Sequence, residues 1–75
     1  MMKEVEIIGE SIELSKILKF ANLVVSGGEA KQVITEGRVK VNGMVETRKR
    51  KKIFSGDMVS FGGVELRIRI KADGL

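Results

Sequence analysis

Seventy-five residues, 43% of them hydrophobic, suit one small domain and leave no room for a second. Cysteine and histidine are both absent, which excludes a disulfide framework, a thiolate nucleophile, the commonest general base and the commonest metal ligand. The net charge of +4 is unevenly spread: residues 1–37 hold four lysines against six glutamates, and residues 38–75 hold ten cations against four anions.

In chain order, KEVEII is rich in β-branched residues and predicts a first strand over residues 3–8, ended by Gly9. In SIELSKILKFANL, the i, i+3, i+4, i+7 spacing of Leu14, Ile17, Leu18 and Ala21 predicts a helix of about three turns, with Ser11 placed to cap it. Ser26 and Glu29 stand in the S-x-x-E relation of a capping box. Ala30, Val33 and Ile34 share a face of this second helix, and Gly37 sits where a left-handed C-terminal cap belongs.

RVKVNGMVET then reads as a hairpin over residues 38–47. Asn42-Gly43 supplies the type I′ turn, and Arg38 and Lys40 lie on the face opposite Val39 and Val41. SGD is a turn, MVSF a strand, and Gly62-Gly63 a second tight turn. VELRIRIK alternates throughout, with Val64, Leu66, Ile68 and Ile70 on the buried face. Arg67, Arg69 and Lys71 are read as the wet face of an edge strand, guarded by its charge. Residues 72–75 are expected to fray. No apolar run approaches the ~18 residues of a membrane span, and nothing resembles a signal peptide.

The basic run RKRKK, residues 48–52, lies between the hairpin and the Ile53-Phe54 pair, so it is held by folded structure on both sides and is not a tail. An asymmetric basic half is the electrostatic footprint of a chain that meets polyphosphate. Of the aromatic side chains, only Phe20, Phe54 and Phe61 are present. Phe54 and Phe61 alternate with apolar neighbours as core residues do, which favours recognition of nucleic acid by backbone and shape over base stacking.

SGGEAKQVITEGRVKVNG followed by ETRKRKKIFSGDMV closely resembles the RNA-binding domain named after ribosomal small-subunit protein S-four, also called the αL motif. The capped helix with E-A-K, the E-G-R-V-x-V-N-G stretch and the G-D-x-V turn span about residues 14–59. The length and the E-T-R-K-R segment look like the small stand-alone bacterial members. The resemblance implies an α+β fold, two short helices on a small, mostly antiparallel sheet, with residues 1–75 forming one RNA-binding domain. It also implies non-catalytic binding of structured RNA, ribosomal or transfer RNA, in the cytoplasm, free or within the ribosome, by a monomer that needs no cofactor or metal and no membrane.

The RNA surface is expected on helix two, the 38–47 hairpin and the 48–52 run. Its candidate residues are Lys16, Lys31, Gln32, Arg38, Lys40, Asn42, Arg48, Lys49, Arg50, Lys51 and Lys52. Asn42 is read first as a turn residue and second as a sugar contact. Relatives often carry Arg-Leu-Asp where this chain has Glu13-Leu14-Ser15, and an arginine where it has Gly27, which shifts weight from the helices to Arg38, Lys40 and the basic run. Two rival readings are a protein-interaction module whose basic patch binds an acidic partner, for example on the ribosome, and an enzyme. No metal-ligand set or serine–base pairing supports the second.

Overall fold

A computed structural model describes residues 1–72. The chain runs β1 (Met2–Ile8), β2 (Ile12–Glu13), α1 (Leu14–Phe20), α2 (Gly27–Thr35), β3 (Lys40–Val41), β4 (Met44–Val45), β5 (Lys52–Ile53), β6 (Met58–Phe61) and β7 (Val64–Lys71). Five strands form a sheet in the order β1-β7-β6-β3-β4, and β2 pairs with β5 in a separate two-stranded ladder. β1 runs parallel to β7 with Met2 opposite Glu65 and Ile8 opposite Lys71, and the other pairings are antiparallel.

The alternation in β7 is realised: Leu66 and Ile68 are fully buried and Val64 and Ile70 partly so, while Glu65, Arg67, Arg69 and Lys71 are exposed. The sheet's inner face shares one core with Leu14, Ile17 and Leu18 of α1 and Ala30, Val33 and Ile34 of α2. Half of the capping box forms as expected, the Glu29 N–H donating to Ser26 Oγ at 3.1 Å, while the Glu29 carboxylate reaches one residue further back and accepts from the Val25 N–H at 2.8 Å instead of from that of Ser26. The helix ends in a Schellman arrangement: Gly37 at φ 76° donates to the Ile34 carbonyl and Arg38 to that of Val33. Asn42 and Gly43, at φ 53° and 83°, make the left-handed pair that a type I′ turn requires.

Four expectations change. Ser11 does not cap α1; Ile12 and Glu13 are drawn into β2, Glu13 becomes the N-cap without a side-chain bond, and the helix is seven residues rather than three turns. β7 is not an edge strand, because β1 and β6 flank it and the edges are β1 and β4. The hairpin ladder is only two residues long on each side, although Val39 and Val41 do point inward, opposite exposed Arg38 and Lys40. Phe54 is not core: Ile53 is fully buried, so strand parity turns Phe54 outward and leaves it 53% exposed. Of the residues expected to fray, Ala72 lies exposed beyond β7, and residues 73–75 lie outside the described residues.

Ile53 occupies a two-residue strand, yet its side chain is wholly enclosed by the core. Truncation of such a side chain costs about 2–5 kcal/mol. Ile53→Ala is therefore expected to lower the urea midpoint by that equivalent, whereas Phe54→Ala next to it should change stability by less than about 0.5 kcal/mol. Urea titration followed by circular dichroism checks both.

Candidate nucleic-acid interface

The site begins with a shortage of caps. The first amides of a helix have no partner inside it, and Glu13 offers none from its side chain. Here the basic run supplies them: the Leu14 N–H donates to the Lys51 carbonyl at 2.9 Å and the Ser15 N–H to the Lys49 carbonyl at 3.2 Å. Lys51 closes a turn by donating to the Arg48 carbonyl, and the β2–β5 ladder fixes Glu13 opposite Lys52 and Ile12 opposite Ile53. The backbone of residues 48–52 is thus committed to the fold.

The result is an open groove. Its walls are Lys16 and Lys19 from α1, Gly27 and Lys31 from α2, and all five cations of the 48–52 run, with Phe54 at its margin and Ser15 and Glu13 on its wall. Eight cations therefore face one carboxylate. Among the described residues, Lys19, Lys31, Lys49, Arg50, Lys51 and Lys52 have no ion pair within 4 Å, and Lys16 has only a long one, 3.9 Å, to Glu13. Two of the three cations on β7 are treated differently: Arg69 pairs with Glu4 at 3.5 Å and Lys71 with Glu6 at 3.4 Å across the parallel ladder, while Arg67 has no ion pair within 4 Å among the described residues. Uncompensated positive charge is concentrated in the groove.

Arg48 is the exception within the run. Its guanidinium grips Glu46 with Nε at 2.9 Å and Nη2 at 3.1 Å, and its own N–H donates to the same carboxylate at 3.0 Å. These bonds hold the Glu46 carboxyl down at about 2, and the carboxylate in turn raises the Arg48 guanidinium. The Glu46 side chain is 14% exposed and that of Arg48 70%, so a partly covered acid anchors an outward arginine.

The S4-domain family model matches residues 5–69. This chain belongs to the S4-domain family. It is 49% identical over 57 residues to YbcJ of Escherichia coli, covering 76% of this chain and 81% of that protein. It is 36% identical over 63 residues to a Bacillus subtilis protein named "Probable ribosome maturation protein RlbA", covering 84% of this chain and 89% of the relative. The solution structure of Escherichia coli YbcJ, described there as an αL motif involved in RNA binding, superposes with a TM-score of 0.64 at 41% identity, over 91% of this chain and 85% of that one. The α+β architecture, with two helices on a mixed sheet, is that of the αL motif.

Within this S4 domain, the structure gathers Lys16, Lys31, Arg48, Lys49, Arg50, Lys51 and Lys52 into the groove and leaves Gln32, Arg38, Lys40 and Asn42 outside its walls. Gln32 bonds Glu36 at 3.3 Å, and Arg38 both bonds Glu36 at 3.4 Å and lies 5.4 Å over the Phe61 ring. Asn42 serves the turn region: its amide donates to Asp57 at 3.1 Å and accepts from the Met58 N–H at 3.0 Å. Sequence reasoning missed Lys19 and Phe54. Lys19 stands three residues after Lys16 on the helix face opposite the apolar one, and the parity signal for Phe54 was the burial of Ile53.

The Glu46 shift has a definite sign. A carboxyl held below its ordinary 4.5 when folded stabilises fully above about pH 4.5 and loses that contribution as the pH falls through about 2. A carboxyl-detected NMR titration should give Glu46 a midpoint near 2. A midpoint near 4.5 would mean that Arg48 is not held in solution.

Proposed function

We propose that this protein binds structured RNA without catalysis, gripping phosphates in the groove between α1, the start of α2 and the 48–52 run. The observation that carries the reading is the convergence of six unpaired cations on one groove. Lysines neutralise phosphate as point charges and Arg50 can fork onto two oxygens. The description of YbcJ as involved in RNA binding supports the class of ligand, and the ribosome-maturation name of the Bacillus relative supports a ribosomal RNA. Arg38 and Lys40, outside the groove walls, would extend the same positive field along the hairpin.

Among the described residues, no helix is long and apolar enough to cross a membrane, and no group of three or more acidic side chains is placed to hold a metal. An acidic protein partner remains the rival ligand, and nuclease sensitivity of a pull-down separates the two.

Two charge-matched variants locate the surface. Lys49→Gln with Arg50→Gln should lower affinity for a ribosomal RNA hairpin at least tenfold and reduce the slope of log affinity against log salt by about 1.5, since each phosphate contact contributes ~0.7–0.9. Arg67→Gln with Arg69→Gln removes the same charge from the sheet face and should change affinity less than about twofold. Fluorescence anisotropy across a salt series reads both, and equal losses would remove the groove as the site.

Both positions where arginine is expected by family resemblance now lie on the groove wall. Glu13 puts a carboxylate there, and a Cβ added to Gly27 would meet nothing within 4 Å. Glu13→Arg and Gly27→Arg should each tighten binding about fivefold, the equivalent of ~1 kcal/mol for a partly exposed charge-assisted contact. Unchanged affinity of the folded double variant would mean that RNA meets the basic run alone.

A further inference from the structure

We propose that Phe54 is a stacking platform for an unpaired nucleobase, so that the preferred RNA is a helix interrupted by an unpaired nucleotide rather than a continuous duplex. This deepens the RNA-binding reading and rests on it. Large apolar side chains normally find cover, but Phe54 is 53% exposed and lines the cation-rich groove. A lone exposed phenylalanine would carry no weight; its position beside Lys52 and its fixed backbone do.

The backbone that carries the ring is pinned on both sides. Ile53 is fully buried. The Phe54 N–H donates to Asp57 Oδ2 at 2.8 Å and its carbonyl accepts from the Asp57 N–H at 3.1 Å. Asp57 is itself braced by the Asn42 amide at 3.1 Å. The ring thus stands on a fixed support, with only two side-chain torsions left to order on binding.

Aromatic faces bind nucleobases without regard to sequence, whereas the lysines beside it bind the backbone. In a continuous duplex the base faces are already stacked on one another and unavailable to a side chain. A nucleotide bulged from the helix frees one face while its flanking phosphates stay within the groove. Phe20 is the internal control: it is 60% exposed but does not line the groove.

The test uses two RNA hairpins identical except for a single bulged adenine, with 2-aminopurine in the bulge as a stacking reporter. Wild type should bind the bulged hairpin about tenfold more tightly, with a change in reporter fluorescence. Phe54→Ala should lose about tenfold on the bulged hairpin and less than twofold on the continuous one, and Phe54→Trp should restore the preference. Phe20→Ala should alter neither. Equal binding of both hairpins by wild type overturns the proposal, as does Phe54→Leu matching wild type, since leucine keeps the apolar bulk without a ring. Folding of each variant is confirmed by its thermal melt, and the apolar Phe54→Leu keeps the comparison available should the alanine variant unfold. Binding of neither hairpin by wild type would instead strike the RNA-binding reading itself.

Discussion

Two backbone hydrogen bonds, from Leu14 and Ser15 at the start of α1 to the carbonyls of Lys51 and Lys49, organise the rest of the site. A helix start without a side-chain cap leaves donors that must be satisfied from elsewhere, and an unpaired buried donor costs about 1–3 kcal/mol. The partners come from the most highly charged stretch of the chain. Those bonds hold the run against the start of α1, where residues 48–52 line the same groove as Lys16, Lys19 and Lys31. The two bonds do not suffice alone, because ordering each residue of such a loop opposes folding by about 1–2 kcal/mol. Full burial of Ile53 and the β2–β5 ladder share the task.

Electrostatics then divides the molecule into two kinds of surface. Across the parallel β1–β7 pair, Glu4 and Glu6 stand beside Arg69 and Lys71, so much of the positive charge on the outer face of the sheet is compensated locally, Arg67 excepted. Exposed pairs of this sort add little stability, but they cancel the field that the cations would otherwise project. In the groove the opposite holds: six cations lack partners and only Glu13 intrudes. The repulsion between them is screened by counterions, whose release when phosphate arrives favours binding. Arg48 differs again. Its charge is matched by Glu46, which makes it a fixed guanidinium at one end of a row of unpaired cations.

What the sequence made legible is what depends on near neighbours. The Ser26 cap on the Glu29 N–H, the cap at Gly37, the Asn42-Gly43 turn and the alternation of residues 64–71 each follow from residue types within one or two turns of chain. The family motif is a string of such signals, so the αL fold was legible as well. The β2–β5 ladder was not. Two-residue strands carry no periodicity, and their partners stand some forty residues apart in sequence. That one non-local contact explains the lost Ser11 cap, the shorter α1 and the outward turn of Phe54. It also shifted the basic walls from the hairpin to α1, since the hairpin belongs to the five-stranded sheet and the basic run does not.

The same division separates the stability of the fold from the geometry of the site. The long β1–β7 register and the helices' shared core hold the domain together without using a single groove cation. The groove hangs on β5 and on the turn from Phe54 to Asp57, where Asp57 accepts the Phe54 N–H and is braced by Asn42. Asn42 therefore does two jobs. Its backbone makes the hairpin turn, and its side chain ties that turn to the segment carrying Phe54. The hairpin reaches the site through this link rather than through its own cations, and a turn residue that never touches the groove helps to set the groove's edge.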